Sequence, residues 1–337
     1  MPDNIYLNGF GYYAPERIIT NEEMTTIVDT SDEWIVTRTG IKERHIVAPG
    51  ETCSDMAYAA SVKALEAAGM DATELTAIMC ATITGDGVVP NMATKLQHRL
   101  GTKNTIAFDY NAACAGFVYG VHIAQGFMCT DPSHKILVVA GEVLTSRTNW
   151  DDRTTCVLFG DGAGAVVISN EQRTPAKPTA LSGNAMLEGV LSSADGTGGD
   201  LLTAYGGGSA HPYKKGDVVG DEFFLYMNGR EVYKYAVRNM TGICNTLMEK
   251  LGYTIDDIDV LVPHQANLRI IEAVGDRLKI DPSKVFINVH KYGNTSCASI
   301  PLALGEAVES GFIKPGMRVM LCTFGGGMTW SAAILKF

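Results

Sequence analysis

Four short segments carry residues that could do chemistry. In AACAGF (112–117), Cys114 follows strand-forming residues and opens a stretch of small ones. A thiol at a helix start meets unpaired backbone N–H groups and the positive end of the helix dipole. Both lower its pKa and raise the thiolate fraction. Taken alone, a cysteine among alanines is more often a small core residue. In VPHQANLRI (262–270), His264 ends a strand just before a helix for which Asn267 is a candidate cap. Catalytic groups of α/β proteins gather at strand ends, although a lone histidine is more often structural. In HKYGNTSCAS (290–299), Gly293 permits a tight turn and Asn294 stands at a helix start. Asn294 is either a plain cap or a neutral amide donor aimed at a developing oxyanion. In FGGG (324–327), successive backbone N–H groups are free of side chains, which suits an oxyanion hole as well as an ordinary turn.

These groups need a scaffold, and the pattern around them supplies one. Short apolar runs at 5–12, 77–82, 136–139, 165–168, 260–262, 318–322 and 331–337 predict strands. Helical spacing at 54–68, 91–100, 115–129, 229–251, 268–278 and 296–309 predicts helices between them. The alternation predicts a layered α/β fold with buried strands. The order also repeats. ATELTAIMCAT (72–82) is echoed by TIDDIDVLVPH (254–264), and each is followed by an amphipathic helix, a short strand (NTIAFDY, 104–110; KVFINVH, 284–290) and a turn into a small-residue helix. FGDGAGAVVIS (159–169) is echoed by FGGGMTWSAAILKF (324–337). The shared order favours duplication of one α/β unit, with halves 1–176 and 177–337 meeting in the polar, proline-bearing stretch at 171–180. The two equivalent turns would then flank one central site.

Composition narrows the function. A formal net charge of −10 argues against nucleic acid as the main partner. No stretch approaches the ~20 apolar residues of a membrane span, and MPDNIYLNGF lacks the basic and apolar regions of a signal peptide. A cytoplasmic protein is expected. The eight cysteines form no C-x-x-C pair and no zinc-like cluster, so buried free thiols in a reducing compartment are expected, with no metal.

Together with SDEWIVTRTGIKERH (31–45) and FGDGAGA, the four segments resemble the motif set of the β-ketoacyl-acyl carrier protein synthase III family. The resemblance runs from the first strand to Phe337; the main departure is a longer segment at 196–222. It implies the thiolase fold: an α/β protein of duplicated halves in a five-layer αβαβα core, as a homodimer. It also implies an order of events. Cys114 takes an acyl group from acyl-CoA, with the N–H groups of Cys114 and Gly326 as oxyanion hole. Malonyl-acyl carrier protein then loses CO₂, and His264 and Asn294 hold the resulting enolate oxygen. The enolate carbon attacks the acyl-cysteine. No metal or other cofactor is needed, because decarboxylation itself generates the carbanion.

Family positions for CoA contact fall on Trp34, Arg38, Arg153 and Asn267. An indole and a guanidinium suit stacking on adenine, although WIVTR also reads as an amphipathic helix with Trp34 in the core. Acyl carrier protein is strongly acidic, so its docking requires a basic patch. Lys234 lies on one helix face with Arg230 and Arg238, and Arg269 and Arg277 are candidates on the helix after His264. The family often ends that helix with two adjacent basic residues; Asp276 precedes Arg277 here and weakens the patch. Val89, before Pro90, falls where the family closes the end of the acyl pocket across the dimer, and its small size predicts primers larger than acetyl.

Three other readings compete. Papain-like proteases also order Cys, His and Asn this way, but carry C-G-S-C-W and disulfides that are missing here. A related condensing enzyme could prime a polyketide or quinolone pathway. An inert acyl-binding protein would not need the intact Cys/His/Asn set.

Overall fold

A computed structural model describes residues 4–337. Nine strands form the main sheet: β1 (Tyr6–Tyr13), β2 (Ala77–Ala81), β3 (Ile106–Tyr110), β4 (Ile136–Val143), β5 (Asp161–Ser169), β6 (Asn184–Ala194), β7 (Val260–Pro263), β8 (Arg318–Gly325) and β9 (Thr329–Lys336). Their order is β7-β8-β9-β6-β1-β5-β4-β2-β3. Within this order β2 runs parallel to β3 and β4, while β5 is antiparallel to β4 and β1. The far side repeats the scheme: β7 is parallel to β8, which is antiparallel to β9, which is antiparallel to β6. Within the sheet the two sides join through Tyr6–Asn8 of β1 against Asn184–Met186 of β6.

Among the described residues, seven helices have eight or more residues: α1 (Asp32–Thr39), α2 (Cys53–Ala68), α3 (Met92–Arg99), α4 (Gly116–Thr130), α5 (Gly229–Leu251), α6 (Leu268–Leu278) and α7 (Ser299–Glu309). Alternation along the strands builds the layers, because successive side chains point to opposite faces. Ile78 and Cys80 pack under α2 and α3, whereas Met79 between them meets α4. Likewise Leu261 packs with α5 and α6, whereas Val260 and Val262 face inward to α4 and α7. The sequence of layers is therefore helix, sheet, helix, sheet, helix, with α4 and α7 in the middle. Strands buried on both faces read as continuous apolar runs, which is why AIMCA and VLVP stood out in the sequence.

Local signals set the helix ends. Thr52 and Asp55 form a capping box at the start of α2, and Gly69 closes it in the left-handed region. Asn228 caps α5, and Gly252 ends it the same way. Asp161, buried in FGDGAGA, accepts from Val47 N–H and from the N–H and hydroxyl of Thr145. That motif thus ties two loops to β5.

Two expectations need correction. KVFINVH (284–290) is not a strand: a 3-10 turn at Pro282–Lys284, a single bridge between Val285 and Leu261 and a short helix at Val289–Tyr292 take its place. Lys284 spends its ammonium on Ile258 O (2.9 Å), and Gln265 binds Asn288 N–H and Val289 N–H, so side chains take partners that a strand would have used. The strand β6, central to the sheet, has no counterpart among the predicted runs, because its alternating NAMLEGVLSSA is broken by Gly189 and polar residues.

Candidate active site

Cys114 lies in the 3-10 turn Ala113–Ala115 that leads from β3 into α4. Ala113, at φ +45°, is forced into the left-handed region to make that turn. The turn has an equivalent before α7, where Ser296 at φ +52° precedes Cys297. The four sequence segments converge here: Cys114, His264, Asn294 and Gly326 line one cavity of about 1190 Å³. A side chain at Gly325 would put a carbon 2.6 Å from Cys114 N, so the backbone of β8 presses on the Cys114 turn. The ladder between β8 and β9 ends at Gly325, which leaves Gly326 N–H outside it.

His264 follows β7 and is held there by its N–H on Cys322 O (2.8 Å). It is buried, and burial pushes its pKa down to about 3, so the ring is neutral at working pH. Asn294 is clamped on three sides. Its N–H donates to Leu158 O (2.8 Å), its carbonyl accepts from Gly160 N–H (3.1 Å) and its Oδ1 accepts from Ser296 N–H (2.9 Å). The cap geometry and the donor role are thus compatible: the cap occupies the oxygen, and the Nδ2 amide is left for the cavity.

The expected thiolate does not form in the resting site. Burial pushes the Cys114 thiol up to about 11; the Ser296 hydroxyl opposes this, and the nearby Glu142 adds to it. Desolvation of the sulfur outweighs the helix start here. Alkylation of Cys114 by iodoacetamide should therefore speed up about tenfold per pH unit from pH 7 to about 9.5. Peptide mass mapping of timed samples measures it; a plateau near pH 8 would show that the helix terminus prevails.

Sequence reasoning missed Glu142 and Ser299. Glu142 is fully buried beneath the site and accepts from Thr84 N–H (3.1 Å), the Ser296 hydroxyl (3.2 Å) and the Cys297 thiol (3.3 Å). Burial pushes its carboxyl up. A glutamate inside the apolar run ILVVAGEV was the available signal. Ser299 Oγ sits 2.5 Å from His264 Nδ1.

The other candidates divide. Trp34, Arg38 and Asn267 line the cavity. Trp34 is only half-buried, and Ile35 is the core residue of α1. The Arg38 guanidinium lies 4.5 Å from the Trp34 ring centre and that of Arg153 5.2 Å, so Arg153 is beside the indole but not in the cavity wall. Asn267 caps α6 and donates to Arg38 O (3.0 Å), which ties α1 to α6. Lys234 and Arg269 are exposed and border the cavity, as does Arg230; Arg277 is exposed but away from it. Val89 is 87% exposed and outside the cavity lining of its own chain. The 196–222 segment supplies Gly199, Leu202, Thr203, Ala204 and Tyr205 to the wall. Arg147 holds that segment by donating to Gly206 O (3.2 Å) and Phe223 O (3.3 Å).

Residues 108–183 match the family model for 3-oxoacyl-[acyl-carrier-protein] synthase III, and residues 248–337 match the model for its C-terminal part. The chain is 54% identical to a β-ketoacyl-[acyl-carrier-protein] synthase III of Nitratidesulfovibrio vulgaris, over 98% of both chains. The chain belongs to the β-ketoacyl-acyl carrier protein synthase III family. A relative of the same description from Oleidesulfovibrio alaskensis is 52% identical over all of both chains. The crystal structure of 3-oxoacyl-[acyl-carrier-protein] synthase III from Aquifex aeolicus superposes with a TM-score of 0.87 at 40% identity, covering 99% of this chain and 100% of that one. The priming β-ketosynthase of the R1128 polyketide pathway superposes with a TM-score of 0.86 at 36% identity, covering 97% and 95%. As a member of the synthase III family, the chain has the thiolase fold and is a condensing acyltransferase.

Proposed function

We propose that this enzyme starts fatty acid synthesis by condensing an acyl-CoA primer with malonyl-acyl carrier protein. The observation that carries the reading is the convergence of Cys114, His264, Asn294 and Gly326 on one cavity bordered by basic side chains. Cys114 attacks the thioester, its proton leaves with CoA as the free thiol, and the acyl group stays on sulfur. Covalent storage splits one hard transfer into two easier ones. Malonyl-carrier then enters and loses CO₂. The neutral His264 and the Asn294 amide donate to the enolate oxygen, and its carbon attacks the acyl-cysteine to give an adduct whose oxyanion meets the N–H groups of Cys114 and Gly326. The adduct collapses by breaking the C–S bond, the β-ketoacyl group leaves on the carrier, and the Cys114 thiolate takes a proton from solvent. The route requires neither a metal nor a prosthetic group, since the leaving CO₂ supplies the carbanion. A cytoplasmic setting is part of this reading; among the described residues no helix is long and apolar enough to cross a membrane.

The test is to incubate the protein with a panel of acyl-CoAs and malonyl-carrier and to identify products by mass. Release of free acid alone, with no β-ketoacyl-carrier, would refute condensation. Similarity to a polyketide-priming ketosynthase favours a second reading in which the product feeds a polyketide; the carrier protein accepted distinguishes the two.

A basic rim of Lys234 and Arg269 is proposed to receive the acidic carrier. Reversing either charge is expected to slow use of malonyl-carrier while sparing acyl-CoA loading. The defect should vary with salt, because exposed charges are screened over ~10 Å at 0.1 M. A defect limited to loading would place carrier docking elsewhere. Lys234 also pairs with Glu231 (2.7 Å), so part of its charge is locally compensated.

A homodimer is proposed because β3 lies at the sheet edge and leaves its outer ladder unpaired, with Ile106 44% exposed and Val88 and Val89 protruding nearby. Only such a partner could bring Val89 to an acyl pocket. With valine there, butyryl- and isobutyryl-CoA are expected to load at least as fast as acetyl-CoA, each extra buried methylene adding about 0.8 kcal/mol. Val89→Phe should restore acetyl preference. Strong acetyl preference in the wild type, unchanged by the substitution, would assign pocket depth to another side chain such as Leu202.

A further inference from the structure

We propose that Ser299 fixes the tautomer of His264, so that the ring's only proton sits on Nε2 and faces the cavity. The inference rests on the reading of His264 as a donor to the enolate oxygen.

A neutral imidazole has one N–H, and the nitrogen that carries it decides whether the ring can donate to a substrate or only accept. His264 lines the cavity, yet its Nδ1 is turned to the protein, 2.5 Å from Ser299 Oγ. Ser299 opens α7 and is 1% exposed, so its hydroxyl must find its partners within the protein. Those partners are few. Gln265 N–H donates to Ser299 Oγ (3.4 Å), which occupies the hydroxyl as an acceptor. Among the described residues, His264 Nδ1 is the only group placed to accept the hydroxyl proton. The hydroxyl therefore donates to Nδ1, and the ring proton resides on Nε2. In the opposite tautomer, Nδ1–H would donate to Ser299 Oγ and the serine proton would be buried with no acceptor.

The neighbouring chain keeps this arrangement in place. Gln265, directly after His264, uses its whole amide on backbone: Nε2 donates to Pro263 O (2.8 Å) and Phe286 O (3.1 Å), and Oε1 accepts from Asn288 N–H (2.9 Å) and Val289 N–H (3.1 Å). The peptide N–H that binds Ser299 is thus held by its own side chain. Ser299 is a positioning residue: it acts on the substrate only through His264. Partners of this kind on a functional histidine set both the tautomer and the ring orientation.

The test uses the full chain with ¹⁵N-labelled histidine, and the His264 signals are assigned by their loss in His264→Gln. In the wild type, Nε2 should show the protonated shift and Nδ1 the unprotonated one. In Ser299→Ala the two should move toward each other as the tautomers mix, and Ser299→Thr, which keeps the hydroxyl, should restore the wild-type pattern. Decarboxylation of malonyl-carrier should fall about 10-fold or more in Ser299→Ala, while acylation of Cys114 stays within about 3-fold of wild type, a split that mere destabilisation would not produce. A wild-type spectrum with the proton on Nδ1, or no spectral change in Ser299→Ala, would overturn the proposal. If the spectra behave as expected but decarboxylation is unchanged, the tautomer assignment stands and the donor role of His264 falls.

Discussion

Replacing Cys114 with alanine is expected to abolish acyl transfer, leaving condensation at least about 10³-fold below wild type, because no covalent intermediate can form. Brief exposure of the wild type to acyl-CoA should add one acyl mass, on the peptide containing Cys114. The other thiols define the controls. Cys156 and Cys297 are fully buried, and Cys129 is the exposed one, at the opposite end of α4 from Cys114. Adventitious acylation would therefore appear on Cys129 and persist in Cys114→Ala. An adduct on Cys297 would be the more serious result, since that residue occupies the equivalent turn in the second half. Malonyl-carrier decarboxylation should survive in Cys114→Ala, because the groups proposed to hold the enolate are separate from the sulfur.

The second large effect concerns those groups. His264→Ala and Asn294→Ala are each expected to slow decarboxylation by about 10²–10³, the usual loss for one oxyanion donor. Loading of Cys114 should change far less. The geometry sets this expectation: three of Asn294's four hydrogen-bonding groups are committed to Leu158, Gly160 and Ser296, which leaves the Nδ2 donor, and His264 is neutral. The pH dependence follows. Since burial holds the His264 pKa at about 3, the ring is uncharged above that value. Decarboxylation should thus show no inflection from histidine between pH 5 and 8. A limb near the ordinary histidine value, or equal loss of loading and decarboxylation in both variants, would mean that His264 activates the thiol instead.

Much of the site could be read along the chain because each key residue sits at a boundary between elements. Cys114, His264, Asn294 and Gly326 all follow a strand or a turn, and glycine, proline and cap residues mark such boundaries locally. The strands buried on both faces also declare themselves as apolar runs. Duplication was visible for the same reason: it repeats local order.

What the sequence by itself determined is therefore the local vocabulary: where elements start and stop, which turns carry reactive groups, and the family motif set. Tertiary structure alone decided the rest. It revealed β6 as the strand that joins the two sides, because a partly polar strand is recognised only by its neighbours β1 and β9. It left 284–290 with a single bridge, because Gln265 takes the backbone groups of Asn288 and Val289 that a ladder would need. It also decided the charge state of the site. A helix start argues for a thiolate, and the sequence is silent on the charge of His264, yet burial, set by residues far away in sequence, keeps Cys114 a thiol and His264 neutral. Helix starts are local and can be read in order along the chain; desolvation is a property of the whole assembly of layers and exists only once they have closed.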